Sequence, residues 1–344
     1  MKKTLSIILC VLMCGAFVFA QDEEATSSWK DVDGVTQSAW ISVDAAYYLA
    51  SAPITTAGLM FAPITGAYSG LEGRITPWYE VKVPTPLGEN WLVKDDNLKV
   101  QIGLEITPVS VMPKAAMIWE VLPFLVFSAG ADVGTGWDIG NIFVGGMAST
   151  RGNDVLGSDG NHQYESLIPF DDIYTNIWVK GLFQFDVAAL VSDEDTKDKL
   201  HIVVQADYKL EYKSLSSAAD GQAWKWQLSG DNFNGWGYDS YLTLGYMMPK
   251  AVKALRLVAV QTELSGRLYD DLSAYGYAAW NPTFMTVGIN PTMFFQFDKH
   301  NSLGVQVRVK DRRSFATGDT SYTGTYNGIE WYFDRVALSY TYSF

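Results

Sequence analysis

Counted back in twos from the end of the chain, the closing stretch VALSYTYSF puts Phe344, Tyr342, Tyr340, Leu338 and Val336 on one face. Ser343, Thr341, Ser339, Ala337 and Arg335 fall on the other. A β-strand points successive side chains to opposite faces, so the pattern predicts a two-faced strand that runs to the last residue. The alternation recurs upstream. Ser38 to Ala50 sets Ile41, Val43, Ala45, Tyr47 and Leu49 against Ser42 and Asp44. Leu71 to Val83 sets Ile75, Tyr79, Val81 and Val83 against Glu72, Arg74, Thr76, Glu80 and Lys82. Leu98 to Thr107 carries Lys99, Gln101 and Glu105 on its polar face, and Tyr174 to Val191 carries Asn176, Lys180, Gln184 and Asp186. Leu200 to Lys213 is the clearest case, with Asp207, Lys209, Glu211 and Lys213 opposite Ile202, Val204, Tyr208 and Tyr212. Glu263 and Arg267 face away from Val258 and Val260, and Arg308 and Lys310 face away from Val305 and Val307.

Between these segments lie Gly, Pro, Asn and Asp, which punctuate strands. The reading places short turns near residues 300, 251, 195, 113 and 69, and longer loops near 321, 276, 225, 155 and 91. The turn near 113 is read at Met112-Pro113-Lys114, and Met117 to Gly136 is read as one strand. A further strand is read at about 57 to 67, where Pro63 and Gly66 interrupt the pattern. The count is about twelve strands, or fourteen if the segment at 138 to 147 pairs with another. An even count leaves both termini on the short-turn side.

Hydrophobic residues make up 48% of the chain and aromatic residues 14%, with 12 Trp and 19 Tyr, spread out rather than bunched. That fits a large β-sandwich or a membrane barrel. Alternation alone does not separate the two, since a sandwich also has one polar face. Strands of ten or more residues match what a tilted strand needs to cross a bilayer, about 9–11. Aromatic residues at the ends of apolar faces, such as Tyr47, Trp119, Tyr212, Tyr246, Phe297 and Tyr340, suit two membrane interfaces.

MKKTLSIILCVLMCGAFVFA at the start reads as a secretory signal, cleaved after Ala20, because two lysines precede a short apolar run that ends in small residues. Residues 21–37 then form a polar periplasmic lead-in and 38–344 the barrel. Both cysteines, Cys10 and Cys14, lie in the signal, so no disulfide framework follows it. Without Lys2 and Lys3, 23 Lys and Arg stand against 38 Asp and Glu, a net charge of −15 that excludes nucleic-acid binding through the overall field.

The terminal strand ending in Phe344, with aromatics at alternate positions behind a signal peptide, resembles the closing strand of Gram-negative outer-membrane β-barrels of the porin type. The chain also looks like the major surface proteins of spirochaetes, in pattern and not in matched residues. The resemblance implies an all-β fold, a transmembrane antiparallel up-and-down β-barrel surrounded by membrane lipid. It implies that Tyr340, Tyr342 and Phe344 belong to the segment read by the barrel assembly machinery, and it leaves room for a homo-oligomer.

If the polar faces line a lumen, its charge is legible. Arg74, Lys82, Lys99, Lys180, Lys209, Lys213, Arg267, Arg308, Lys310 and Arg335 nearly balance Asp44, Glu72, Glu80, Glu105, Asp186, Asp207, Glu211 and Glu263. Such a wall would screen small hydrophilic solutes by charge and size, as a passive channel does. The alternative is that the charges pair and stiffen a closed structural or adhesive barrel. A hydrolase in the wall is a third class, with His162, His201 and His300 as its only histidines; solvated histidines are the simpler account. GADVGTGWDIG lacks the strand–helix context of a nucleotide loop, and Asp154, Asp159, Asp171 and Asp172 match no Ca²⁺ spacing. No enzyme, cofactor or metal is therefore expected. The loops at 138–172 and 216–235, including AWKWQLSGDNFNGWGY, suit either ligand binding or an inward plug.

Overall fold

The computed structural model describes residues 7–12, 15–20, 34–52, 61–85, 88, 93, 96–139, 146–150, 163–191, 199–227, 229–249, 252–268, 284–315 and 326–344. Twelve strands form the wall: β1 (Thr36–Ser51), β2 (Ile64–Pro84), β3 (Asn97–Thr107), β4 (Ser110–Leu122), β5 (Leu125–Gly136), β6 (Tyr174–Asp186), β7 (Ile202–Leu215), β8 (Gly235–Met247), β9 (Leu255–Leu268), β10 (Thr286–Gln296), β11 (Asn301–Phe315) and β12 (Tyr326–Ser343). Each pairs antiparallel with its sequence neighbour, and β12 returns to β1 in a register from Arg335↔Tyr48 to Ser343↔Trp40. The result is a closed up-and-down barrel, as the resemblance implies. Ahead of it, Ile7–Leu12 pairs with Gly15–Ala20 in a separate hairpin.

Alternation sorts the side chains. Val43, Leu71, Ile75, Ile102, Met117, Phe127, Ile177, Val179, Leu242, Leu244, Val260, Ile289 and Leu338 are exposed on the outside of the wall. Their strand neighbours point inward, and many of these are polar and buried, among them Ser42, Thr76, Gln101, Gln205, Thr243, Gln261 and Asn290. Aromatic rings pair near both ends of the outer face: Tyr47 with Tyr68 and Tyr212 with Trp236 at one, Phe124 with Phe183 and Phe295 with Phe297 at the other.

The strand total agrees with the sequence reading, but two boundary errors cancel within it. β2 runs unbroken through the turn expected near 69 and absorbs the end of the strand expected at 57 to 67. Met117 to Gly136 is not one strand; it reverses at Pro123-Phe124, inside an apolar run that carries no Gly or Asn signal. The turn expected at Met112-Pro113-Lys114 lies instead at Pro108-Val109, with Pro113 and Lys114 paired to Leu104 and Gly103 inside β4. Thr107 Oγ1 caps that turn, accepting from Val109 N at 3.2 Å and sharing a hydrogen bond with Ser110 Oγ at 2.7 Å. Proline at the second turn position suits the required φ.

One missed reversal shifts the phase of everything before it. The connection at 85–96 therefore lies at the end that holds both termini, with 123–124, 187–201, 248–254 and 297–300. At the opposite end, called the loop end below, β1, β3, β5, β7, β9 and β11 finish and β2, β4, β6, β8, β10 and β12 begin. The strand ends that flank the long loops lie opposite the termini, as expected, but Pro84 and Asn97, which flank the loop near 91, lie at the terminus end.

The turn between β10 and β11 shows how the terminus end is tied. Asp298 Oδ1 accepts from His300 N at 2.8 Å, Asn301 N at 2.9 Å and Asn301 Nδ2 at 2.8 Å. The Asn301 side chain, followed by the His300 backbone amide, holds the Asp298 carboxyl below the usual carboxylate range. A carboxyl lowered by folding stabilises the turn above the unfolded-state range and loses that contribution as pH falls through the folded-state titration. Hydrogen exchange should find the His300 and Asn301 amides protected near neutral pH and progressively unprotected on acidification, and unprotected at every pH in Asp298→Ala.

Candidate functional site

All eighteen inward charges expected from the sequence lie on the inner face of the wall: Asp44 on β1; Glu72, Arg74, Glu80 and Lys82 on β2; Lys99 and Glu105 on β3; Lys180 and Asp186 on β6; Asp207, Lys209, Glu211 and Lys213 on β7; Glu263 and Arg267 on β9; Arg308 and Lys310 on β11; Arg335 on β12. The structure joins most of them into lateral clusters. Arg74 donates to Asp44 at 2.9 Å and Glu105 at 3.1 Å, and Lys114 reaches Glu105 at 2.7 Å. Glu211 receives Lys209 at 2.9 Å, Arg267 at 3.1 Å and Lys213, while Lys209 also meets Asp239 at 2.9 Å. Arg308 meets Asp334 at 2.6 Å and Glu263 at 3.4 Å, and Arg335 meets Tyr48 Oη at 2.8 Å and Glu72 at 3.7 Å. Lys99 pairs with Glu120 at 2.6 Å near the terminus end.

Each of these pairs links one strand to itself, to its neighbour or to the next but one, so the charges run around the wall. One of the three pairs that skip a strand depends on glycine. Glu211, Gly237 and Arg267 stand in one row on β7, β8 and β9, and a Cβ at Gly237 would come within 2.5 Å of Arg267 Nη1. The missing side chain is the passage through which Arg267 reaches Glu211. Sequence reasoning missed Lys114, Glu120, Asp132 and Asp239. The first stood in a supposed turn, the next two in a strand read as too long, and Asp239 in a strand whose polar face was not read.

The inner face is stratified. From the loop end toward the terminus end, the order on β1 is Asp44, Ser42, Trp40; on β2, Arg74, Thr76, Trp78; on β3, Glu105, Gly103, Gln101. On β4 it is Lys114, Ala116, Ile118; on β5, Asp132, Gly130, Ser128; on β6, Lys180, Leu182, Gln184. The remaining strands repeat it: Asp207, Gln205, Val203 on β7; Asp239, Tyr241, Thr243 on β8; Glu263, Gln261, Ala259 on β9; Arg308, Gln306, Gly304 on β11; Arg335, Ala337, Ser339 on β12. β10 has Gly288, Asn290, Thr292 and Phe294, with no charge at all. A charged belt nearer the loop end thus gives way on every strand to at least two uncharged positions. Glu80, Lys82, Lys99, Glu120 and Asp186 return charge at the terminus rim.

The mouth at the loop end is narrowed from within. Trp224–Trp226 pairs with Met147–Thr150, which pairs with Tyr164–Ser166, and Ser229–Asn232 completes a four-stranded sheet. The loops after β5 and β7 therefore interlock. Met147, Trp224 and Trp226 pack on the inward residues Met112, Tyr174 and Leu215. The Trp226 and Tyr174 rings stack with centroids 4.5 Å apart. Gln227, at φ 52°, donates to Glu105 Oε1 at 3.0 Å and to Ser110 Oγ at 2.9 Å. Of the two expectations for these loops, the structure shows the inward fold. No local signal marks it, because each loop supplies only part of the sheet.

His162, with Asp154, Ser158 and Asp159, lies outside the described residues. His201 Nδ1 meets Asp186 Oδ2 at 2.7 Å, and His300 Nδ1 donates to the Ser343 carbonyl at 2.7 Å, both at the terminus end. Asp172 accepts from Ser216 Oγ at 3.0 Å and stitches the two long loops together. Among the described residues no group of three or more acidic, His or Cys side chains is placed to hold a metal ion.

No family model matches the chain, and no curated protein matches it. Among solved structures it is similar to an outer membrane channel from Pseudomonas putida F1, with 10% identity over 94% of this chain and 100% of that one, at a TM-score of 0.41. It is also similar to the β domain of the Bordetella autotransporter BrkA, with 8% identity over 90% and 99% at a TM-score of 0.37. The outer membrane channel DcaP of Acinetobacter baumannii aligns with 11% identity over 90% and 97% at a TM-score of 0.33.

Glu105 ties the wall to the loop sheet through Arg74, Lys114 and Gln227, and is itself 1% exposed. Glu105→Gln removes its charge while keeping its shape. The expected cost is about 1–3 kcal/mol, seen as a lower unfolding temperature in detergent together with faster proteolysis within 216–234. An unchanged proteolysis rate would mean that Gln227 does not hold the sheet.

Proposed function

We propose that this protein is a channel of the outer membrane of a Gram-negative-type bacterium, through which small hydrophilic solutes diffuse passively. The observation that carries the reading is the inversion of the wall, with an apolar outer face around a closed barrel and a charged belt inside it. Water-soluble proteins put their ions outward and their apolar side chains inward; a barrel in a bilayer needs the reverse. Twelve strands also fall between eight, whose interior side chains fill, and the sixteen or more of large open pores, on the general relation of about one step in diameter per added strand.

In this reading Met1 to Ala20 serves as the export signal, residues 21–37 as the periplasmic lead-in, and the loop end faces outward. The eighteen inner charges from Asp44 to Arg335 line the path. Tyr340, Tyr342 and Phe344 present the terminal strand to the barrel assembly machinery; all three are exposed on the outer face, and Phe344 N donates to Ala39 O at 3.1 Å beside them. We assign the barrel no catalytic reaction.

A second reading, a structural or adhesive surface barrel with a closed lumen, is favoured by the inward loop sheet and by the nearly complete burial of the uncharged inner positions. Osmotic swelling of liposomes that contain the refolded, signal-free protein decides between the two. The channel reading expects swelling in isotonic small uncharged polyols, slowing as solute size rises. A heat-modifiable, membrane-inserted protein that gives no swelling would leave the closed barrel. Protein that stays soluble without detergent would overturn the membrane placement itself.

A further inference from the structure

We infer that the rim of the barrel at the β8–β9 turn is a headgroup site for an anionic phospholipid. The inference rests on the bilayer placement of the outer face and requires no passage through the interior. Its basis in the sequence is the stretch MPKAVKALR, residues 248–256, which carries Lys250, Lys253 and Arg256 and no acid. The chain as a whole has 38 Asp and Glu against 25 Lys and Arg, so a turn with bases alone runs against its composition. Of the three, Lys250 lies outside the described residues.

Backbone hydrogen bonds gather these bases at the terminus end. Val252 N donates to the Pro249 carbonyl at 2.9 Å and Met248 N to the Arg256 carbonyl at 2.8 Å, which closes the turn. Gln296 N donates to the Ala254 carbonyl at 2.9 Å, which sets Lys253 beside the end of β10 and the β10–β11 turn that carries Lys299. Leu255 stands opposite Phe295 and Leu257 opposite Phe294, so Arg256 is the extra residue of a bulge, a device that re-aims a side chain at a barrel rim. Lys253 and Lys299 are exposed and Arg256 is half-buried. Among the described residues none of these three bases meets a carboxylate. Asp298, next to Lys299, has both carboxylate oxygens taken by donors of its own turn, and Asp186 is paired with His201 at 2.7 Å.

The apolar outer face reaches the same rim. Val252, Val258, Met293 and Phe297 are exposed there, and the Phe295 and Phe297 rings stack with centroids 6.4 Å apart. A ligand held by the bases therefore also meets aliphatic and aromatic surface on the membrane side. A phosphate that carries two acyl chains satisfies both, whereas an inorganic anion or an acidic peptide satisfies only the first. Lysine and arginine suit this boundary, because their long stems lie along apolar surface while the charged ends stay in water at the height of the headgroups. Each base near an anionic lipid surface strengthens the attraction roughly fivefold.

The test titrates the refolded protein in non-ionic detergent with phosphatidylglycerol and with phosphatidylcholine of the same chains, and counts retained lipid by native mass spectrometry. Phosphatidylglycerol should be retained about tenfold or more over phosphatidylcholine. The double variant Lys253→Gln/Arg256→Gln should lose most of that preference, roughly fivefold per base removed, while Lys253→Arg keeps it. Lys225→Gln, which removes a base from the loop sheet at the other end of the barrel, should change nothing. Heat modifiability shows that each variant is folded. Equal retention of the two lipids by a heat-modifiable parent would overturn the site and leave the membrane placement standing. Neutralisation of the rim by Asp193, Glu194, Asp195 and Asp198, which lie outside the described residues, would give that result. Loss of bound lipid to millimolar inorganic phosphate would assign the bases to a free anion and overturn the lipid site. A parent that stays soluble without detergent would overturn the membrane placement, and the site with it.

Discussion

The pairing of the first wall strand with the last is the constraint on which the other features depend. An open sheet leaves a row of unpaired N–H and C=O groups at each edge, and in an apolar surround each such group costs several kcal/mol, of order 1–3 or more. Closure between β1 and β12 removes both edges. It also forces every inward position to share one narrow interior, so that side chains from twelve strands must satisfy one another there. The bulge that sets Arg308 opposite Arg335 and Val309 opposite Phe333 adjusts the twist and turns both Asp334 and Arg335 inward.

Given closure, the interior solves two problems with different chemistry. Near the loop end, charges neutralise one another around the wall, with Glu211 and Glu105 as hubs and the gap at Gly237 letting Arg267 reach past β8. Farther in, the wall drops charge altogether and relies on amides, hydroxyls and apolar pads. A buried acid left without its base would be strongly unfavourable, whereas a neutral amide with a long hydrogen bond is tolerated. The loop sheet closes part of the mouth by the same logic, burying Trp224 and Trp226 against inward apolar residues and hooking Gln227 onto a hub that already carries two bases.

Much of this was legible in the residues themselves. Faces were assigned correctly wherever a strand alternates cleanly, as in Leu98 to Thr107 and Leu200 to Lys213, because a period of two leaves no choice once one face must be apolar. Reversals were harder. Pro123-Phe124 turns within an apolar run, and Pro113, read as a turn, sits on the outer face of a strand, so two local signals pointed the wrong way. The faces survived because a two-residue turn preserves the in–out parity, but the sides of the loops did not. Lys114, Glu120 and Asp132 were lost with the strand boundaries.

What the chain determined by itself is the two-faced strand repeat, the approximate strand number and the charges that turn inward, since alternation and turn chemistry act over a few neighbours. The tertiary structure alone decided which charges meet and that the two long loops share one sheet inside the mouth. Those outcomes depend on register and on barrel closure. Both join residues far apart in the sequence, such as Gln227 with Glu105 and Arg335 with Tyr48, so no local pattern records them.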